Sequence, residues 1–370
     1  MNKYLYSILV FLVSVTQLSC ESMALPEGRE TFLVMAYYSG NETAIDQYDV
    51  GGLTHIIFSF CHLDGNRIII PENRIPVVKK LVSLKDDHPG LKIILALGGW
   101  GGCETCSEVF SSPEGRSEFA VSVREMLEEY NADGIDLDWE YPAISGYPGH
   151  RYVPGDKQNF TLLVKKLREL LGTDYEIGFA AGGFKKFFDE SVEWKKVMPV
   201  VDYVNIMTYD LVSAGSVVAG NVITGHHTPL YSINTNSYSV HFAVSYLDSI
   251  GVDPTKMVIG AAFYGRAFEG VPDINRGLSQ PGRFKTAITY RNLDQWFEEN
   301  NMKLYWDDEA AAPYAWSAEK GIFATFDNPR SVKLKTRFAI DNGLGGIMFW
   351  QLGGDKPDGG LLDAIYSELD

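Results

Sequence analysis

From residue 31 onward the chain repeats one rhythm: a short apolar run, a polar loop, then an amphipathic stretch with helical spacing. Apolar runs predict strands over 31–37, 55–60, 92–97, 134–139, 176–181, 203–207, 257–262 and 346–350. Most of these are near-continuous Ile, Val, Leu, Ala and Phe, the composition of parallel strands covered on their outer face. Helical patterns fall over 75–86, 115–130, 157–171, 239–250 and 331–342, the last opened by Asn328-Pro329 and closed by Gly343. Eight β-then-α steps with short connections predict an α/β fold, a closed (β/α)8 TIM barrel and not an open doubly wound sheet. No Gly-x-Gly-x-x-Gly follows the first strand, which removes the main argument for a dinucleotide site.

One spacing is irregular. Between Arg266 and Thr325 the chain carries Phe268, Tyr290, Trp296, Phe297, Tyr305, Trp306, Tyr314 and Trp316, with a strand-like run over 321–326. A structureless loop of that length is improbable, so residues 267–325 are expected to form a small α+β insertion between strands seven and eight. The barrel is then built from 30–266 and 326–370. A length of 370 residues accommodates one barrel with such an insertion. The insertion grows from the catalytic face, where it could wall one side of a groove.

At the front, Lys3 precedes an apolar run over 4–15, which has the length of a signal-peptide core and is too short to span a bilayer. Residues 1–24 are read as a signal peptide cleaved after Ala24. In the alternative, Leu18-Ser19-Cys20 loosely resembles a lipoprotein box and places a lipid anchor at Cys20, although Gln17 stands where an aliphatic residue is expected. Both readings export the chain, to the periplasm or the extracellular space. No later segment reaches 18 uninterrupted apolar residues, so no membrane span is expected in the mature chain. Export favours a disulfide within Cys103-Glu104-Thr105-Cys106. A zinc site using those thiols with Cys61 and His62 is the weaker alternative, since nothing else has ligand spacing. Neither metal nor cofactor is expected, and the chain is taken to be a monomer.

Charge and composition narrow the partners. A net charge of −16 repels phosphate backbones and disfavours nucleic acid. The 20 Tyr, 20 Phe and 7 Trp supply flat rings of the kind that grip the apolar faces of sugars.

The chemistry concentrates in Asp133-Gly134-Ile135-Asp136-Leu137-Asp138-Trp139-Glu140-Tyr141-Pro142. Alternate residues of a strand share a face, so Asp136, Asp138 and Glu140 point the same way. Facing outward they would meet an apolar helical layer, so they must line the barrel interior and rise toward its C-terminal mouth. Three stacked carboxylates cannot all ionise in so small a space, and the topmost is then available as an acid. Asp133 is out of phase and is expected to order the strand entry. The residues by themselves lead to a carboxylic acid at a barrel mouth, suited to protonating a glycosidic oxygen.

This segment resembles the Asp-x-x-Asp-x-Asp-x-Glu signature of glycoside hydrolase family 18, the chitinases and their relatives. The resemblance extends to His55-Ile56-Ile57-Phe58-Ser59-Phe60, Leu97-Gly98-Gly99-Trp100, Asn205-Ile206-Met207-Thr208-Tyr209-Asp210, Ala262-Phe263-Tyr264-Gly265-Arg266 and Gly346-Ile347-Met348-Phe349-Trp350. Tyr305-Trp306-Asp307-Asp308-Glu309-Ala310 and Ala312-Pro313-Tyr314 resemble the insertion domain of chitinases with deep clefts. It implies a retaining hydrolase of β-1,4 linkages in chitin or N-acetylglucosamine oligosaccharides, working through the substrate's own acetamido group. Carried over, Glu140 would be the acid, Asp138 would hold the acetamido N–H, Asp136 would exchange a proton with Asp138, and Tyr209 would donate to the acetamido oxygen. Trp350 would floor the subsite at the scissile bond, with Met207, Tyr141 and Asp210 lining it. Tyr264 and Arg266 would contact sugar substituents, Tyr37 and Phe60 the non-reducing side, and Trp100 the leaving-group side.

Two relatives of other activity share the barrel. A chitin-binding lectin would have lost the acid, whereas Glu140 and Asp138 are both present; an endo-β-N-acetylglucosaminidase acting on N-glycans generally lacks the insertion. One departure is Ala96, where the family usually carries a Ser that settles the lowest Asp, which bears on the pH optimum. His226-His227 reads as a loop before Thr228-Pro229-Leu230-Tyr231 and not as a metal site, because adjacent histidines do not easily face one centre.

Overall fold

The computed structural model describes residues 31–212, 222–234 and 237–369. The leader over 1–24 and Cys20 lie outside the described residues. Eight parallel strands form the barrel: β1 (Leu33–Tyr38), β2 (His55–Asp64), β3 (Lys92–Gly98), β4 (Gly134–Asp138), β5 (Glu176–Gly182), β6 (Val204–Met207), β7 (Met257–Ala262) and β8 (Gly346–Trp350). Strand β1 pairs with both β2 and β8, Met35 opposite His55 and Leu33 opposite Gly346, and this closes the cylinder. Outside it lie α1 (Ile75–Ser83), α2 (Pro113–Tyr130), α3 (Asp156–Leu171), α4 (Val240–Ser249) and α5 (Pro329–Asp341). Among the described residues no helix is long and apolar enough to cross a membrane.

Local chemistry sets the helix ends. Ser112 accepts from Gly115 N at the start of α2, where Pro113 occupies a position whose N–H would be unpaired anyway. Asn131 then ends α2 in the left-handed region at φ 54°. Asn328 and Ser331 form a reciprocal capping box at α5, with Pro329 at its first turn.

Period two along each strand sorts side chains into two cores. Ile135 and Leu137 of β4 join the layer between sheet and helices. The interior carries Met35, Tyr37, Ile57, Ala96, Tyr209 and Met348, and Asp136 sits on this inner side, bonded to Tyr37.

Some elements differ from the pattern-based expectation. Strand β2 runs on to Asp64 and folds back as an antiparallel hairpin with Arg67–Ile69. The step from β5 to β6 is made by two short helices, Lys185–Glu190 and Trp194–Val197, each too brief to show a 3.6-residue period. Strand β4 stops at Asp138, so Glu140 stands just past the strand end, on the loop at the mouth. A second sheet is antiparallel and six-stranded, in the order Lys303–Asp307, Ala312–Ser317, Ile322–Thr325, Tyr264–Glu269, Pro281–Thr289 and Val222–Ile223. Its strand Tyr264–Glu269 follows β7 directly, so Tyr264 and Arg266 belong to it.

A fully buried ion pair joins the two sheets and α5. Lys335 Nζ lies 2.8 and 2.6 Å from the two Asp327 oxygens. Asp327 also accepts from Ala262 N at the end of β7 (2.9 Å), from Thr228 Oγ1 (3.2 Å) and from Ser331 Oγ (2.7 Å). Replacing Lys335 by Met leaves a buried carboxylate without its counter-charge and is expected to lower stability by about 3–5 kcal/mol. Chemical denaturation measures this; a Lys335→Met variant within about 1 kcal/mol of wild type contradicts it.

Candidate active site

Asp136 and Asp138 stack on the inner face of β4, and Glu140 continues the row at the mouth with part of its surface open to solvent. At the bottom, Tyr37 O–H donates to Asp136 Oδ2 at 2.8 Å and Asn205 Nδ2 to Oδ1 at 3.2 Å. Asn205 Nδ2 also reaches Tyr37 Oη at 3.1 Å, which ties the two donors together. Burial pushes the Asp136 carboxyl up to about 7, against the pull of these two hydrogen bonds toward the ionised form. Burial, then the neighbouring Glu140 and Asp136, push Asp138 well above the usual carboxylate range. Asp138 Oδ1 is buried with no hydrogen-bond partner among the described residues. Burial raises Glu140 to about 8; the Tyr141 hydrogen bond opposes this and the Asp210 charge adds to it.

Asp210 behaves in the opposite way. Burial alone would raise its carboxyl, but His227 and Arg266 more than offset that and hold it well below the usual range. Its φ of 59° turns the chain after β6 so that the carboxylate meets Tyr264 O–H at 2.6 Å and both a terminal and the ε nitrogen of Arg266. His227 Nδ1 stands 3.5 Å away, and burial lowers the imidazole's own proton affinity. The site thus holds one fixed anion, Asp210, and a row of carboxyls that retain protons. Environments that separate titratable groups in this way divide acid from charge-holding roles.

Rings complete the enclosure. Trp350 stacks on Phe60 with centroids 5.6 Å apart at 15°, and Tyr37 leans on it at 5.9 Å. Met207 packs into the same interior cluster. Tyr209 is buried, and among the described residues its hydroxyl makes only a long contact with Met348 Sδ at 3.9 Å, a weak acceptor. Burial and the nearby Asp138 and Glu140 keep that phenol protonated. Tyr141 meets Phe184 and Phe187 at 5.6 and 5.5 Å. Trp100 stands apart at the rim, 58% exposed and 6.5 Å from Tyr141.

Sequence reasoning assigns no site role to Asn205 or Tyr147, and it sets His227 aside as part of a loop. Asn205 carries a recoverable signal, since it alternates with Met207 on β6 and so shares its inward face. His227 has none, because Asp210 is brought to it by the return of a long loop. Ala96 lies directly opposite Asp136 in the β3–β4 register, so the donors to Asp136 come from Tyr37 and Asn205. Asp133 accepts from Lys85 Nζ and Ile93 N at the strand entry, as its phase implied. Cys103 and Cys106 are bridged, which leaves the zinc alternative without its thiols; Cys61 is a buried free thiol.

A family model described as Glycosyl hydrolases family 18 matches residues 33–355. Chitinase A1 of Niallia circulans is 34% identical over 300 residues, which are 75% of this chain and 43% of that protein, so the chain spans less than half of that relative's length. Among solved structures, chitinase ChiA74 from Bacillus thuringiensis is similar with a TM-score of 0.84 at 26% identity, over 92% of this chain and 70% of that one. A glycoside hydrolase family 18 N-acetylglucosaminidase from Paenibacillus barengoltzii gives a TM-score of 0.79 at 34% identity, over 91% of this chain and all of that one.

The proton held by Glu140 has a consequence for stability. Its folded value near 8 lies above its ordinary 4.5, so the native state binds a proton that the unfolded chain releases. Stability present below pH 4.5 is therefore lost as pH rises toward about 8. Glu140→Gln should show a smaller fall in Tm between those limits than wild type. Parallel curves for the two proteins contradict the assignment.

Proposed function

The chain belongs to glycosyl hydrolases family 18, and on that premise we propose that it is a chitinase, hydrolysing β-1,4 linkages between N-acetylglucosamine units with retention at the anomeric carbon. The observation that carries this reading is the row of Asp136, Asp138 and Glu140 with raised proton affinities, and an Asp138 oxygen beneath the acid that has no partner among the described residues.

In the first step Glu140 gives its proton to the bridging oxygen while the C1–O bond breaks. The carbonyl oxygen of the same sugar's acetamido group bonds to C1 and forms a cyclic oxazolinium ion. Nucleophile and electrophile are already tethered, so the entropy of bringing them together is not lost in the reaction. Asp138 Oδ1 accepts the acetamido N–H and balances the positive charge as it forms; Asp136 takes up or returns the proton that Asp138 must exchange. The Tyr209 hydroxyl, held protonated, donates to the acetamido oxygen and aligns it. In the second step the Glu140 carboxylate removes a proton from water, the water oxygen bonds to C1, and the acetamido C–O bond reopens. Two displacements on one carbon return the starting configuration.

The rings suit the remainder of the sugar. Trp350, stacked on Phe60, offers an apolar floor, with Met207 and Tyr141 beside it. Asp210, Tyr264 and Arg266 form a charged wall whose ionised carboxylate also helps keep the proton on Glu140.

Glu140→Gln removes the acid while keeping its shape. Its kcat on a chromogenic chitotrioside is expected to fall by roughly 10²- to 10⁴-fold, the usual contribution of a placed acid. Undiminished turnover by this variant would sink the proposal. A substrate whose reacting sugar carries a free amine in place of the acetamido group should resist the wild-type enzyme, since the internal nucleophile is then missing.

A further inference from the structure

Outward from Glu140, two large rings stand exposed and touch each other. Trp100 follows β3 and is 58% exposed; Tyr147 lies in the loop after β4 and is 39% exposed. Their centroids are 5.5 Å apart at 70°, so one offers its face where the other offers its edge. Two exposed rings in contact at the rim make a contiguous apolar face of the kind that ligand grooves carry.

Both rings are fastened to the backbone that carries the carboxyl row. Tyr147 N donates to the carbonyl of Glu140 itself at 3.3 Å, and Gly99 N donates to the carbonyl of Asp138 at 2.9 Å. The approach is close enough to require glycine: a Cβ on Gly146 would lie 1.9 Å from the Glu140 carbonyl oxygen. The two loops are also pinned to each other. Asp156, fully buried, accepts from Ser107 Oγ at 3.0 Å and from Val153 N at 2.8 Å, which joins the Tyr147 loop to the segment bridged by Cys103 and Cys106. His150 supports the Tyr147 ring at 4.8 Å. The platform is therefore fixed relative to the acid before any sugar arrives.

An acid that protonates the bridging oxygen has the departing sugar on its outer side. We infer that Tyr147 widens the leaving-group side that the resemblance already gives to Trp100 into a two-ring shelf for N-acetylglucosamine units, and that Tyr147 sets the preference for long leaving groups. The inference rests on the chitinase reading and adds to it a residue outside every matched motif. A sugar ring laid on the shelf covers apolar C–H faces with aromatic area, while an aryl leaving group without sugars leaves most of the shelf uncovered.

The test compares kcat/KM for N-acetylglucosamine hexamer with that for p-nitrophenyl chitobioside in wild type, Tyr147→Ala and Tyr147→Phe. The hexamer-to-aryl ratio should fall roughly tenfold in Tyr147→Ala, the loss of about one aromatic contact. Tyr147→Phe keeps the ring and should keep the ratio. A ratio unchanged in Tyr147→Ala, including an equal loss on both substrates, overturns the shelf while leaving the chitinase reading intact. A wild-type chain that hydrolyses neither substrate overturns both.

Discussion

Three carboxyl groups share the inner face of one short strand and its extension, inside a barrel whose other inward side chains are mostly apolar. Charge there can be relieved in two ways, by retained protons or by donated hydrogen bonds. The bottom of the row uses donors: Tyr37 and Asn205 occupy the two oxygens of Asp136. Asp138 has a buried oxygen with no partner among the described residues, and burial and two like-charged neighbours raise its proton affinity. Glu140, at the mouth, is raised to about 8 by burial, with the Asp210 charge adding to it.

The wall opposite works by the reverse device. Asp210 is only partly buried, and Arg266, Tyr264 and the His227 ring surround it and keep it charged. Asp210 itself follows β6, and its partners come from two other places: the strand Tyr264–Glu269 of the second sheet and the loop before Thr228. What holds them in register lies behind the site, where the Asp327–Lys335 pair binds Ala262 N and Thr228 at once. The second sheet thus does more than deepen a groove. It brings the cation that fixes one carboxylate as an anion, and that anion helps fix another as an acid.

The barrel was legible from the chain because its strands are long apolar runs and its helices show clean periods; β7 and β8 fall at the expected residues. Helices of four to six residues, such as Trp194–Val197, leave no periodic trace and went unread. The carboxyl row was readable from period two alone, since Ile135 and Leu137 between the acids reveal which face is outside. Its relief was not. That Asn205 serves Asp136, and that a histidine from a discounted pair approaches Asp210, depend on contacts across 69 and on loop returns that no local pattern encodes. The departure at Ala96 was visible, but its meaning needed the register, which places that methyl beside Asp136 and shows the donors arriving from β1 and β6.

An acid above the sugar and an internal nucleophile below it dictate the stereochemistry of hydrolysis. The direct measurement is ¹H NMR of the anomeric signals during the first moments of hydrolysis of a chito-oligosaccharide, before mutarotation. The β-anomer should accumulate first. Initial release of the α-anomer would mean that water attacks C1 directly, and the proton-sharing row could not then have the part given to it.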